Sequence, residues 1–257
     1  RLSATLERAA ARAVLGFIGS GNYASAVLVP AFAATPARLR TIASATGLSA
    51  VQVGRKNGIE MATSDSESVL ADDSINAVVI STRHNSHATW ISSALKAGKN
   101  VFVEKPLAIT HMELDSLTEQ YTSLGTSAPL LMVGFNRRYS PFVQSLKKAI
   151  LSRGAPVSMV VNVNAGAIPR DHWTQDLSIG GGRLIGEGCH FVDLLRFLAG
   201  SPIVDWSVSA LGADTPRDTW TLSLRFANGS IGTVHYFSNG NRKLPKERLD
   251  VYLSLIH

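Results

Sequence analysis

Residues 14–24, Val-Leu-Gly-Phe-Ile-Gly-Ser-Gly-Asn-Tyr-Ala, constrain the fold more than any other stretch of the chain. An apolar run from Val14 to Ile18 leads into the spacing G-x-G-x-x-A, carried by Gly19, Gly21 and Ala24. A short buried strand, a tight turn and a helix start would bring bare backbone N–H groups and a helix N-terminus onto a pyrophosphate. Gly19 permits the turn, Gly21 lets the backbone approach phosphate, and Ala24 lets helix and strand pack closely, with Asn22 and Tyr23 completing the turn. Glycine-rich turns are common, so this motif is weak alone and the rest of the chain decides it.

From Val14 to Phe135 apolar segments alternate with helical ones. Strands are expected at 14–18, 39–44, 77–81, 100–103 and 130–135, and helices at about 22–34, 48–57, 66–71, 86–97 and 111–124. The strand segments Ala77–Ser81 and Leu130–Phe135 are apolar continuously instead of alternately, which suits a parallel sheet covered on both faces. Repeated β-α units with short connections predict an α/β, doubly wound parallel sheet of the Rossmann kind over residues 14–140. Residues 1–13 read as a linker or lead-in helix. After Pro141 the pattern changes. A helix over about 142–152 precedes strands at 157–164, 204–211, 219–226 and 230–237, which look like antiparallel pairs. Ala227-Asn228-Gly229 is a hairpin signal between the last two. An irregular stretch, 164–180, comes before a helix over about 184–199, stopped by Gly200 and Pro202. Residues 141–257 therefore read as an α+β domain with an open mixed or antiparallel sheet, and Leu249–His257 as one more strand.

Composition removes several function classes. At 45% hydrophobic and 17% charged the chain is an ordinary globular one. No apolar run reaches the roughly 20 residues that span a bilayer, and the Ala/Arg-rich start lacks the apolar core of a secretory signal. The single cysteine, Cys189, leaves no internal disulfide and no cysteine-based zinc site, and it fits a reducing compartment, here the cytoplasm. The net charge of +6 is scattered, with no basic run longer than two (Arg55-Lys56, Arg137-Arg138, Lys147-Lys148). That distribution argues against nucleic acid and for an anionic small molecule.

A dinucleotide site specific for NAD usually places Asp or Glu at the end of the second strand, on the ribose hydroxyls. Here that end is Ser44-Ala45-Thr46-Gly47, without a carboxylate. Arg55 and Lys56 would supply positive charge to a 2′-phosphate if they lie nearby, or are simply solvated helix charges. NAD and NADP both stay open.

Three further stretches carry a resemblance: Ser81–Ala88 (STRHNSHA), Ala97–Thr110 (AGKNVFVEKPLAIT) and Gly180–Gly200 (GGGRLIGEGCHFVDLLRFLAG). Together with the first motif they resemble the glucose–fructose oxidoreductase / inositol dehydrogenase (Gfo/Idh/MocA) family from about residue 14 to 250, most specifically through AGK-x-V-x-x-EKP. The nearer similarity is to a branch with TRH, VGFNRRYSP, NAG-x-IP-x-DHW and GGGR-x-x-GE-x-CHF-x-D. That branch often forms the C-terminal half of a protein whose other half resembles a zinc-type alcohol dehydrogenase. The linker-like start would fit a chain cut from such a fusion or a stand-alone relative, and the C-terminus, shorter than the family's, is expected to be truncated.

The resemblance implies that Lys105 lies beside the carbon that exchanges hydride, where an ammonium stabilises developing alkoxide and can relay its proton. Glu104 would hold that lysine, and Pro106 would shape the turn through a cis bond. His190 matches the family's general acid/base, a task imidazole suits because it titrates near neutrality. The family's Asp four residues earlier is Gly186 here. Glu187, three before His190 on the same helix face, is the candidate replacement. Thr82, Arg83, His84 and His87 would line the loop near the nicotinamide, where Arg83-His84 replaces the family's Pro-Asn. Asn136 and Arg137 would sit at the carboxyl edge of the first sheet, while Arg138 is structural. Asp171, His172 and Trp173 form either a substrate clamp or a loop that packs Trp173 at the domain interface. No metal is expected, since His84 and His87 have no acid or cysteine beside them.

The expectation is a two-domain, homo-oligomeric NAD(P)-dependent dehydrogenase acting on a secondary alcohol of a sugar, cyclitol or nucleotide-sugar. Two rivals are glycoside hydrolysis with NAD recycled in each turnover, and a non-catalytic nucleotide sensor or scaffold.

Overall fold

Apolar runs bounded by turn residues become strands, and the amphipathic segments between them become helices. The structure, a computed structural model, describes residues 12–212, 218–241 and 243–253, so residues 1–11 of the expected linker or lead-in helix and the last four residues of the expected final strand lie outside the described residues. The chain divides into two compact units between Gly134 and Phe135.

The first unit holds strands β1 (Val14–Ile18), β2 (Arg38–Ala43), β3 (Met61–Thr63), β4 (Ala77–Ile80), β5 (Asn100–Val103) and β6 (Leu131–Val133). They form one sheet in the order β3-β2-β1-β4-β5-β6, with every pairing parallel. Helices α1 (Val29–Ala33), α2 (Leu48–Asn57), α3 (Glu67–Ala71), α4 (His87–Lys96) and α5 (His111–Ser123) connect them. Alternate residues of each central strand enter different cores. Leu15, Phe17 and Val79 pack in one cluster, and Ile18, Val78, Ile80, Val101 and Val103 in the other. Both faces are thus buried, which is why these strands read as unbroken apolar runs.

Two details depart from the sequence reading. The three-residue strand β3 was not expected; it is short and its Met61 is exposed, so no apolar run marks it. The first helix runs from residue 22 to 33, as expected, but contains an unexpected π-helical turn, Ala24–Leu28, just before α1.

The second unit contains α6 (Pro141–Arg153), β7 (Ser158–Asn164), α7 (Cys189–Ala199), β8 (Ile203–Ala210), β9 (Trp220–Phe226), β10 (Ile231–Phe237) and β11 (Glu247–Tyr252). The sheet order is β11-β7-β10-β9-β8. The Asn228-Gly229 hairpin joins β9 and β10 antiparallel, with Gly229 at φ +85°. The pairing of β7 with β10 is parallel, not antiparallel, so the sheet is mixed, one of the two arrangements expected. One face carries Met159, Val161, Leu222, Leu224 and Val234 against Phe191, Leu194, Leu195 and Leu198 of α7. Intervening residues such as Thr221, Ser223 and Arg225 alternate out of this core. A second π-helical turn, Leu184–Gly188, leads into α7. Among the described residues no helix is long and apolar enough to cross a membrane.

Candidate active site

In the first unit the candidate residues sit on the loops that follow β1, β2, β4 and β5. The strand order reverses between β1 and β4, and open parallel sheets bind ligands beyond the carboxyl ends of strands at such a switch point. The Gly19 turn is tied to both neighbours of β1. Its N–H donates to the Ala43 carbonyl at 2.9 Å, and the Ser81 hydroxyl donates to the Gly19 carbonyl at 3.2 Å. Gly19 adopts φ +104°, and a Cβ there would lie 2.6 Å from the Ser81 carbonyl oxygen, so glycine is required on two counts. Gly21 differs, because beyond its own chain neighbours no atom lies within 4 Å of its Cβ position. That open side of the turn fits a pyrophosphate. Asn22 and Tyr23 are exposed beside it, and Ala24 is buried at the start of the π-turn, a distortion frequent at functional sites.

The loop carrying Glu104 and Lys105 is held at several points. The Lys105–Pro106 bond is cis, as the resemblance implied. The Glu104 N–H donates to the Ile80 carbonyl. Thr110 caps α5 by accepting from the Glu113 N–H, while the Glu113 carboxylate accepts from the N–H groups of Ile109 and Thr110. Such a cap is worth about 1 kcal/mol and fixes the far end of the loop. Burial raises the Glu104 carboxyl above its ordinary value, with the Lys105 charge opposing more weakly.

His87 is fully buried, its Nδ1 2.7 Å from the Pro106 carbonyl oxygen and its Nε2 3.1 Å from that of Thr82. Expected beside the cofactor, it offers a ligand no surface. It joins the Thr82 loop to the cis-proline turn and acts on the site through both. Burial pulls its pKa below the ordinary histidine value, partly offset by the two carbonyls. His84 is also buried, its ring 5.7 Å from that of His87, while Arg83 is exposed. The Thr82 hydroxyl shares a hydrogen bond with Ser86 at 2.6 Å.

Ser44 is half-buried and joins a small hydroxyl cluster through Ser49. Arg55 and Lys56 fall in the last turn of α2, whereas the β2 end leads into its first turn. The helix rise puts them about 10–12 Å away along the axis, so their proposed service to a ribose phosphate is not what the fold arranges.

In the second unit Asp171, His172 and Trp173 lie on an irregular loop fastened to the glycine run. A Cβ on Gly180 would fall 2.4 Å from Thr174 Cα and 2.7 Å from the Trp173 carbonyl oxygen. The Gly180 N–H donates to the Asp176 carbonyl at 2.7 Å. Asp171 and His172 are exposed, and His172 Nδ1 lies 2.8 Å from the Thr174 hydroxyl. His190 lies in the first turn of α7, with the Phe135 ring edge-on at 6.3 Å.

Arg137, expected at the cofactor together with Asn136, lies with it on a short 3-10 turn that opens this unit. Its guanidinium bonds Glu247 and covers the Phe191 ring at 4.6 Å. Arg138 forms a two-pronged pair with buried Asp193 and is structural.

Glu187 accepts from Arg183, whose Nε and Nη2 lie 3.2 and 3.4 Å away, and from the Tyr236 hydroxyl. Arg183 is 4% exposed, donates to the Gly166 carbonyl at 2.7 Å and lies over the Tyr236 ring at 5.1 Å. Tyr236 stacks on Trp220, with ring centroids 4.8 Å apart. Burial, then Glu187, raise the Tyr236 hydroxyl's pKa and keep it a donor. Neither Arg183 nor Tyr236 was singled out from sequence. An arginine four residues before Glu187 was a readable i,i+4 signal, whereas Tyr236 lies on a distant strand with no local mark. Among the described residues no group of three or more His, Cys, Asp or Glu could hold a metal ion.

A doubly wound sheet with an open glycine cradle defines a dinucleotide-binding class, and sequence comparison makes the assignment specific. Residues 14–135 match the Gfo/Idh/MocA oxidoreductase family, NAD-binding Rossmann fold, and residues 144–254 match the Gfo/Idh/MocA C-terminal domain. The chain belongs to this family. It is 28% identical to the levoglucosan dehydrogenase of Pseudarthrobacter phenanthrenivorans over 88% of this chain and 66% of that protein. It is 30% identical to the inositol 2-dehydrogenase of Rhizobium meliloti over 88% of this chain and 68% of that one. A solved structure of levoglucosan dehydrogenase in complex with NADH superposes with a TM-score of 0.80 at 26% identity, covering 94% of this chain and 71% of that chain. The chain thus spans just under two thirds of the first relative's length.

Proposed function

We propose that the chain is part of an NAD(P)-dependent dehydrogenase acting on a secondary alcohol of a sugar, cyclitol or nucleotide-sugar. The observation that carries this reading is the pairing of the open Gly21 cradle, after β1, with a braced Glu104-Lys105-cis-Pro106 loop, after β5, on the two strands that flank β4 in one sheet. Gly19, Gly21 and the Thr82 loop would hold the dinucleotide. When bound, the nicotinamide supplies the hydride acceptor or donor. Lys105 stabilises the negative charge that develops on the substrate oxygen, and His190 takes or returns the hydroxyl proton. Glu187, fixed by Arg183 and Tyr236, serves in place of the carboxylate missing at Gly186, and Asp171, His172 and Trp173 meet the substrate's hydroxyls and ring.

The names of the relatives, levoglucosan and inositol dehydrogenases, support a polyol or sugar substrate. Further parts of the proposal are pairing with a second copy across the open sheet face, where Val204 and Trp206 are exposed, association with a zinc-type alcohol dehydrogenase-like domain, and residence in the cytoplasm.

The test is to identify bound nucleotide by mass after extracting the purified protein, then to follow NAD- and NADP-linked oxidation of a sugar, cyclitol and UDP-sugar panel. Lys105→Ala and His190→Ala are each expected to lower kcat at least about a hundredfold. Unchanged turnover in both variants would sink the dehydrogenase reading. Glycoside cleavage without net NADH formation would favour the hydrolytic rival.

A further inference from the structure

The loop from β2 to α2, Ser44-Ala45-Thr46-Gly47, has no ionisable side chain. Three hydroxyls converge on it. Ser49 Oγ, at the start of α2, lies 2.7 Å from Ser20 Oγ and 3.0 Å from Ser44 Oγ. Ser20 is the middle residue of the Gly19-Ser20-Gly21 turn and is itself buried. The Ser44 N–H donates to the Thr63 carbonyl at 3.1 Å, so the unexpected strand β3 fixes the outer end of the cluster. A chain of hydroxyls therefore runs from the phosphate-facing turn to the end of the second strand, where doubly wound sheets hold the adenosine ribose.

Charge at this place decides between the two dinucleotides, because NADP carries a 2′-phosphate where NAD carries a hydroxyl. A carboxylate accepts from the hydroxyl and repels the phosphate, whereas a guanidinium favours the phosphate. A serine hydroxyl both donates and accepts, so it can serve either. The charges around β2 are otherwise engaged. Arg40 pairs with Glu60 at 2.9 Å and Asp72 at 3.1 Å, and Arg38 bonds Glu60 at 2.6 Å. The Asp65 carboxylate accepts from the Glu67 N–H. Arg55 and Lys56 sit at the far end of α2.

Resting on the dinucleotide site proposed above, we infer that the Ser20–Ser49–Ser44 cluster makes the ribose subsite charge-neutral, so that NAD and NADP bind with dissociation constants within about tenfold of each other. Ser44 is then the specificity-determining position. A charge introduced there should move the two affinities in opposite directions.

Calorimetric titration of the full chain with NAD and NADP tests this without reference to turnover. Wild-type constants within tenfold support the inference, and a larger ratio in either direction overturns it. Ser44→Asp is expected to raise the NADP/NAD ratio of dissociation constants at least about tenfold, and Ser44→Arg to lower it by a similar factor. A ratio that neither substitution moves also overturns the inference. The wild-type measurement still decides if either variant fails to fold. Binding of neither nucleotide would instead sink the dinucleotide reading, a separate result.

Discussion

Two glycine-rich turns, one in each unit, lead through a π-helical turn into a helix, but they are held by opposite means. The Gly19–Gly21 turn is fixed by the Ala43 carbonyl and by the Ser81 and Ser49 hydroxyls, and its Gly21 side faces open space. The Gly180–Gly182 turn is packed against the backbone of Trp173 and Thr174 and followed by the buried Arg183, which ties Gly166, Glu187 and Tyr236 together. A turn left open on one side is suited to receive a ligand made of phosphates. A turn closed in by neighbouring backbone and followed by a buried arginine is suited to hold charged groups at fixed positions.

Glycine replacements should separate these roles most sharply. Gly19→Ala forces a Cβ into a left-handed conformation against the Ser81 carbonyl, and we expect a loss of about 2–4 kcal/mol with nucleotide binding abolished. Gly21→Ala meets no protein atom, so stability should change by less than about 0.5 kcal/mol while nucleotide affinity falls at least about tenfold. Chemical denaturation and nucleotide titration of both variants check the pair. Equal effects of the two on stability would contradict the open cradle. In the other turn Gly180→Ala should cost about 2–3 kcal/mol by pushing the 173–174 backbone, with nucleotide affinity unchanged.

Smaller effects should come from the side-chain ties. Arg183→Met removes the hydrogen bonds to Gly166 and Glu187 from a buried position, and about 1–3 kcal/mol is expected, discounted because Glu187 is partly exposed. Tyr236→Phe deletes only the hydroxyl that reaches Glu187, for about 1 kcal/mol. Their denaturation midpoints should rank in that order, and a Tyr236→Phe loss larger than that of Arg183→Met would remove Arg183 from the centre of the network.

The contrast also explains what could be read from the chain. In the first unit, burial on both faces makes the central strands continuously apolar, so β1, β4 and β5 were visible as sequence. In the second unit, Trp220-Thr-Leu-Ser-Leu-Arg-Phe226 alternates as a one-sided strand should, and Asn228-Gly229 marked its hairpin. The parallel partnership of Ser158–Asn164 with Ile231–Phe237 had no local mark, because a register between segments some 70 residues apart is set by tertiary packing alone. The two π-turns were hidden for a related reason, since one inserted residue hardly disturbs the apolar spacing of a helix. Glycine motifs announced the cradle, whereas the destination of each tying side chain did not show. Ser20 looks ordinary, and His87 looks like a cofactor residue, until their partners, 29 and 19 residues onward, are in place.

His87 supplies the smallest effect. A buried histidine with a lowered pKa is neutral when folded and takes up a proton more readily when unfolded. The unfolded state therefore binds more protons below the ordinary value of 6.5, and the contribution of His87, complete above that pH, is lost as pH falls towards the folded value. One such proton gives a slope of at most about 1.4 kcal/mol per pH unit. Glu104 works in the opposite sense. Its raised pKa lets the folded state keep a proton longer, so its contribution is present below 4.5 and fades as pH rises through the folded value. The two overlap in mildly acidic solution, and the raw stability curve would understate His87. Subtracting the curve of His87→Gln from that of the parent between pH 5 and 7.5 isolates the histidine, and the difference should shrink as pH falls. A flat difference would mean that the ring titrates alike in folded and unfolded protein, and one that grows on acidification would mean that the folded ring is protonated and donates to both carbonyls, making the joint between the Thr82 loop and the Pro106 turn an ionic one.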